Sequence, residues 1–386
     1  MDVKRRPWRR LMQTLAVGTV VAVAPLVAPA GAATAQPATP ALTAPAPRAV
    51  TGMAGQVEQT SVATDFSGSG AACGDYYFPV TMSEGDPTVY RVWGRLCSKT
   101  SFTDRAVQVL LHGGSYNHTY WDWPFQPENY SYVKAATEAG FVTLTLDRLG
   151  YGYSDRPNSL GITFPSNAWV AHQVVQYLRR GALGEPAKKV ILGGHSMGGL
   201  TTNIEAGTYN DVDGVIVSGM THVMNYPVIA TIAAALVPAE LDQKFAGNVP
   251  LASAYTTTRA GVRCQIAFYQ QGAYDPDICA AEEKYKDTIA AGEWVTVVTH
   301  DPLPTPSDRI TAPVLMAMGN NDHMMCVLTC DADLNSHLEA SFYPNAASYE
   351  LYTQPRSAHD QNLHYTARQW FQKAIDWSIE HVGVNT

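Results

Sequence analysis

No basic stripe and no Lys/Arg cluster occurs after the first ten residues of this 386-residue chain, so the electrostatic footprint of a nucleic-acid binder is missing. Charge is sparse altogether. Charged residues make up 16% against 46% apolar, the reverse of the balance that keeps a chain disordered. No internal repeat is present, which excludes solenoids and propellers. Beyond the N-terminus no apolar run reaches the ~18 residues of a membrane span. Zinc-ligand spacing is also lacking, and only Cys326-x-x-x-Cys330 comes near it. Asp331-x-Asp333-x-Asn335 begins like a calcium loop. Ser336 then stands where that loop needs Gly, and Phe342 where it needs Glu, so the reading fails.

What is present starts at the N-terminus. Lys4, Arg5, Arg6, Arg9 and Arg10 precede an apolar stretch from Leu11 to about Ala30, followed by small residues including Ala33-Thr34-Ala35. This is the layout of a secretory signal, expected over 1–35, with a retained membrane anchor as the rival reading. The two arginine pairs leave the route of export open. Cleavage after Ala35 removes five basic residues and one acidic one, which takes the net charge from −8 to −12. The expected product is secreted, with no stable anchor. Residues 36–60 are rich in Pro, Ala and Thr at their start and are read as a linker.

Six cysteines, Cys73, Cys97, Cys264, Cys279, Cys326 and Cys330, suit an exported chain with disulfides. Nearest-neighbour pairing gives Cys73–Cys97, Cys264–Cys279 and Cys326–Cys330, one of fifteen connectivities.

Strand and helix patterns alternate along the rest. A hairpin is expected over 75–96 around Glu84-Gly85-Asp86-Pro87. Short apolar strands follow at 106–111, 141–146, 189–192, 212–217, 313–318 and 348–352. Helices fall at 130–139, 169–183, 198–206 and 365–382. Such alternation implies an α/β class with a mostly parallel sheet covered on both faces. Residues 220–308 break the pattern between two core strands. They read as a largely helical cap inserted between core segments 61–219 and 309–386.

Gly194-His195-Ser196-Met197-Gly198 is a G-x-S-x-G sequence with a strand before it and a helix after it. The glycines permit a sharp turn that exposes the Ser196 hydroxyl and aims the Met197 amide at a reacting carbon. His112-Gly113-Gly114 ends an earlier strand and offers a second backbone donor for a developing oxyanion: Gly114, with Ser115 as the alternative. Asp322 follows the strand at 313–318 and can orient a histidine. Asp331 and Asp333 are rivals, while the loop Ser218–His222 offers no carboxylate. His359 lies between the last strand and the closing helix. His337 and His364 are alternatives, His364 being expected to start that helix.

With Asp147-Arg148-Leu149-Gly150-Tyr151-Gly152, read as a structural turn, these motifs resemble the α/β-hydrolase superfamily. The order Ser196, Asp322, His359 matches that family's order of nucleophile, acid and base. The resemblance covers 106–217 and 313–382. It implies the α/β-hydrolase fold, a secreted serine esterase- or lipase-like activity, and no cofactor. A Ser nucleophile argues against dehalogenase and epoxide hydrolase chemistry, where the family uses Asp. Tyr116, Tyr120, Trp121 and His195 are expected to border a greasy pocket under the cap, which suggests a hydrophobic small-molecule ester or lactone. Acyl transfer or a lyase reaction on the same triad, and an inactive ligand-binding protein, are the alternatives.

Overall fold

The computed structural model describes residues 56–63, 70–99, 104–300, 303–326, 330 and 332–385. The expected signal segment and most of the expected linker lie outside them. An antiparallel edge comes first: β1 (Glu58–Ala63), β2 (Ala72–Val80) and β3 (Tyr90–Ser98). The linker reading stopped at residue 60, so β1 is a correction. Its polar sequence carries little strand signal, and the edge of β2 supplies the hydrogen bonds that order it. Register places Cys73 opposite Cys97, and the two are bonded.

β4 (Val107–Leu111), β5 (Val142–Leu146), β6 (Val190–His195) and β7 (Gly214–Ser218) are buried along their whole length. That is why β4, β6 and β7 read as short, nearly continuous apolar runs, while β5 alternates apolar residues with the buried Thr143 and Thr145. Between β4 and β5, the expected helix is two pieces, α1 (Pro127–Tyr130) and α2 (Tyr132–Glu138). Ser131 separates them, and its hydroxyl accepts the Lys134 N–H. α3 (Phe164–Arg179) starts from a reciprocal Thr163/Ser166 capping box. α4 (Met197–Tyr209) follows β6.

The inserted segment holds α5 (Tyr226–Ala234), a two-stranded ladder of β8 (Leu236–Pro238) and β9 (Thr256–Thr258), α6 (Ile278–Tyr285) and α7 (Ala291–Thr299). The chain then returns to the core through β10 (Val314–Gly319), α8 (Ala332–Ala340), β11 (Tyr349–Gln354) and α9 (Ala367–His381). Among the described residues the main sheet runs β1-β2-β3-β5-β4-β6-β7-β10-β11, parallel from β5 onward. Helices flank it, with α3 packed on α4 and α2 on α9. α9 buries Trp370, Phe371, Ala374 and Trp377. It begins after His364, not at it: His364 stands in the preceding loop, where its Nε2 receives the Ala358 and Gln270 N–H groups. No helix of the described residues is long and apolar enough to cross a membrane.

Candidate active site

The end of β6 and the start of α4 meet at Ser196, whose backbone sits at φ 53°, ψ −122°. A side-chain-bearing residue rarely holds that conformation, and the surroundings enforce it. A Cβ on Gly194 would lie 2.2 Å from the Gly198 carbonyl oxygen. A Cβ on Gly198 would lie 2.5 Å from the carbonyl oxygens of both Leu111 and His112. Both positions therefore require glycine. The Ser196 N–H donates to the Ser218 carbonyl (2.8 Å), and the side chain makes no capping bond to α4, so the hydroxyl is available.

The loops after β10 and β11 are zipped together by Asn320 N–H to Gln354 O and Asn321 N–H to Ser357 O, both 2.9 Å. This brings Asp322 to His359. The Asp322 carboxylate is fully buried; Oδ1 accepts the Met324 N–H at 3.2 Å, and Oδ2 lies 3.0 Å from His359 Nδ1. A carboxylate facing Nδ1 keeps the proton there and leaves Nε2 as an acceptor. His359 Nε2 is 2.9 Å from Ser196 Oγ. Burial, the largest influence, works against the imidazolium, but Asp322 and, less strongly, Asp360 together hold the His359 pKa above its ordinary value. Asp331 lies outside the described residues, and Asp333 and His337 belong to α8.

The loop after β4 lies against the serine. A Cβ on Gly113 would stand 3.1 Å from Ser196 Cβ, and one on Gly114 would strike Met197 Sδ. The Ser115 N–H donates to the Thr288 carbonyl at 3.0 Å, which removes it as the alternative donor and leaves Gly114. His112 is buried and its pKa is depressed to about 3 by burial and the nearby Arg148 cation. Its Nε2 accepts the Arg148 N–H (3.1 Å), so Nδ1 donates to the Gly113 carbonyl (2.8 Å) and fixes that peptide.

Two buried networks absent from the sequence reading hold the inserted segment on the core. Arg148 and Glu293 of α7 form an ion pair, joined by Tyr151 Oη (2.6 Å) and Asn167 Nδ2 (2.9 Å) on the same carboxylate. Arg263 pairs with Glu282 of α6 and donates to Ser115 Oγ at 2.8 Å. Tyr116 Oη lies 2.7 Å from Glu282 and 2.5 Å from Asp360. A phenol has one proton, so one of these contacts needs a carboxylic acid O–H. Burial, the largest influence on both acids, raises the Asp360 and Glu282 pKa values. The Cys264–Cys279 disulfide brackets this second network. That bracketing, an Arg beside one bridged cysteine and a Glu three residues past the other, was the available sequence signal.

The cavity at Ser196 is about 50 Å³. The core gives it Gly114, Ser196 and His359, and the inserted segment gives Ile229, Ile232, Trp294 and Val297. Five methionines line it: Met197, Met220, Met224, Met324 and Met325. Among the described residues no Asp, Glu, Lys or Arg does. Of the expected pocket residues, Tyr116 and His195 reach the cavity. Tyr120 and Trp121 do not. Tyr120 is buried behind it, stacked on the His195 ring at 4.2 Å, and Trp121 packs edge-on against Tyr132. Both rings point into the core rather than the opening.

The model of the Alpha/beta hydrolase family matches residues 108–372, which holds every element of this site. The chain belongs to that family. Solved structures similar to it include an esterase from Thermogutta terrifontis (13% identity, covering 79% of this chain and 99% of that one, TM-score 0.50). An esterase from Exiguobacterium antarcticum is similar at 16% identity (75% and 96% covered, TM-score 0.51). A bromoperoxidase from Bacillus anthracis is similar at 17% identity (79% and 99%, TM-score 0.51). At these identities the likeness is one of fold. No curated protein sequence matches the chain significantly.

Proposed function

We propose that this member of the family is an exported serine hydrolase that cleaves a neutral, apolar carboxylic ester or lactone. The observation that carries this reading is the Asp322–His359–Ser196 hydrogen-bond chain ending in an uncharged cavity. His359 Nε2 takes the Ser196 proton as Oγ attacks the carbonyl carbon. Asp322 stabilises the imidazolium that results. The Met197 and Gly114 amides receive the oxyanion, each contributing roughly 3–4 kcal/mol of transition-state stabilisation. The carbonyl reforms, and the alcohol departs with the proton from His359. Water then gives a proton to His359 and attacks the acyl carbon. Collapse returns the proton to Ser196 and frees the acid.

The cavity supports a narrower statement about substrate. Among the described residues no Lys or Arg lines the cavity, and Arg263 behind Ser115 is already paired with Glu282, so a charged acyl group would be buried without a partner. A volume of about 50 Å³ holds on the order of four water-sized spheres, which suits a short acyl chain. Export is supported by the three disulfides, which favour an oxidising compartment, and by the N-terminal sequence pattern.

The test is intact mass after fluorophosphonate treatment, for the natural chain and Ser196→Ala, followed by a p-nitrophenyl ester series from acetate to octanoate. We expect one adduct, lost in the variant, and kcat/KM highest for acetate to butyrate. No adduct, or one that Ser196→Ala retains, overturns the reading. An adduct with turnover only in the presence of an added alcohol makes the enzyme an acyltransferase.

A further inference from the structure

A second cluster of ionisable groups lies away from the serine. His172 on α3, Glu205 on α4 and Asp211 just beyond α4 each offer one ligand atom, and these atoms lie within 4.8 Å of one another. His172 Nδ1 is 2.9 Å from Asp211 Oδ2 and 3.8 Å from Glu205 Oε1. Glu205 is completely buried; among the described residues no N–H or hydroxyl donates to either of its oxygens or to Asp211 Oδ1, and its hydrogen-bond contact is with the Asp211 carboxyl, which requires a shared proton. Buried polar groups are almost always paired, and a buried carboxylate without donors points to something else that satisfies it.

The groups around the cluster hold its ligand atoms in place. Gln176 Nε2 donates to Asp211 Oδ2 at 2.6 Å. The Tyr209 ring stacks on the His172 imidazole at 3.9 Å, with Trp169 stacked on it at 5.4 Å. Such outer contacts orient ligands around metal ions. His172 and Asp211 are partly exposed, with side-chain accessibilities of 18% and 17%, so an ion can enter from solvent. One imidazole and two carboxylates suit a borderline transition cation. Calcium and magnesium favour all-oxygen shells of six or more ligands.

We propose that His172, Glu205 and Asp211 bind a divalent transition-metal cation, Zn²⁺ foremost, with water completing the shell. Glu205 is nine residues along the helix from Ser196, about 13 Å of axial rise, so the ion joins α3 to the far end of α4 and does not meet the substrate. The cation takes the place of the proton between Glu205 and Asp211 and adds a cross-link from α3 to the end of α4 beyond the Gln176–Asp211 hydrogen bond.

The experiment is a calorimetric titration of tag-free, chelator-treated protein with Zn²⁺, and separately with Ca²⁺ and Mg²⁺. The expected result is one Zn²⁺ per chain at micromolar affinity or tighter, a raised melting temperature, and no binding of the two hard cations. Glu205→Gln preserves shape and should weaken Zn²⁺ binding by about tenfold or more, as should His172→Ala. Co²⁺-loaded protein should give the intense visible bands of a four-coordinate site, lost in Glu205→Gln. Absence of Zn²⁺ binding by the natural chain overturns the proposal; Glu205 and Asp211 then share a proton. Binding that both variants retain at full affinity also overturns it, since the ion then sits elsewhere.

Discussion

At one end of α4, Ser196, His359 and Asp322 hold one another through two hydrogen bonds of 2.9 and 3.0 Å. At the other end, Glu205 is equally buried beside an imidazole and a second carboxylate, and among the described residues no N–H or hydroxyl donates to either of its oxygens. Both groupings contain acid and histidine, so residue type does not distinguish them. Closure does. A proton relay needs each donor already aimed at its acceptor, whereas a ligand set needs lone pairs left open toward a common point. The two ends also store cost differently. Ser196 bears it in the backbone, at positive φ, and Glu205 in a desolvated side chain.

The largest expected effect breaks the closed end. Asp322→Asn should lower kcat/KM by about 10⁴-fold, near 5 kcal/mol of transition-state stabilisation. His359 acts as a base only when neutral, so in the natural enzyme kcat/KM should fall tenfold per unit as pH drops below the raised His359 pKa. Removing the carboxylate removes the larger of the influences that raise that pKa, so the acid limb should move to lower pH. A pH–rate profile with an unmoved limb would assign it to another group.

The open end should respond in the opposite sense. In chelator, Glu205→Met replaces a buried carboxyl group that no N–H or hydroxyl of the described residues satisfies with an apolar side chain of similar length. We expect urea unfolding to show a gain of roughly 1–3 kcal/mol. With saturating Zn²⁺ the gain should vanish or reverse. A loss in chelator would mean that the carboxylate is already satisfied. The smallest effect tests the backbone at 196. Ser196→Gly should be more stable than Ser196→Ala by about 1 kcal/mol, because only glycine holds φ 53° without strain. Equal unfolding midpoints would show an unstrained turn.

Most of the core was legible in the sequence because buried parallel strands announce themselves. The runs at 107–111, 142–146, 190–195, 214–218 and 314–319 are buried on both faces and mostly apolar, and the residues placed at their C-terminal ends, His112, Ser196 and Asp322, share one rim. The Ser196–His359–Asp322 grouping followed from strand ends and chain order. What escaped depends on contacts between distant segments. Nothing local in Arg148 or Glu293 says that each is buried against an opposite charge, and Arg263 and Glu282 are marked only by their places beside the bridged Cys264 and Cys279. Tyr120 and Trp121 lie in an aromatic stretch whose sequence cannot tell core from cavity. His172, Glu205 and Asp211 span two helices and a loop with no shared spacing.

β1 carries a consequence for handling the protein. It pairs with residues 73–77 of β2, and its register slips between Gln59 and Ser61. Its outer edge is short and irregular, with exposed Glu58, Gln59 and Thr60 on its first half. A chain trimmed at residue 61, where the composition places the domain boundary, loses that half. It leaves part of β2 with an unpaired backbone edge, a template on which a second copy can add a strand. Shortened versions should begin before Glu58, and those that begin later should be watched for aggregation before any loss of activity is blamed on the active site.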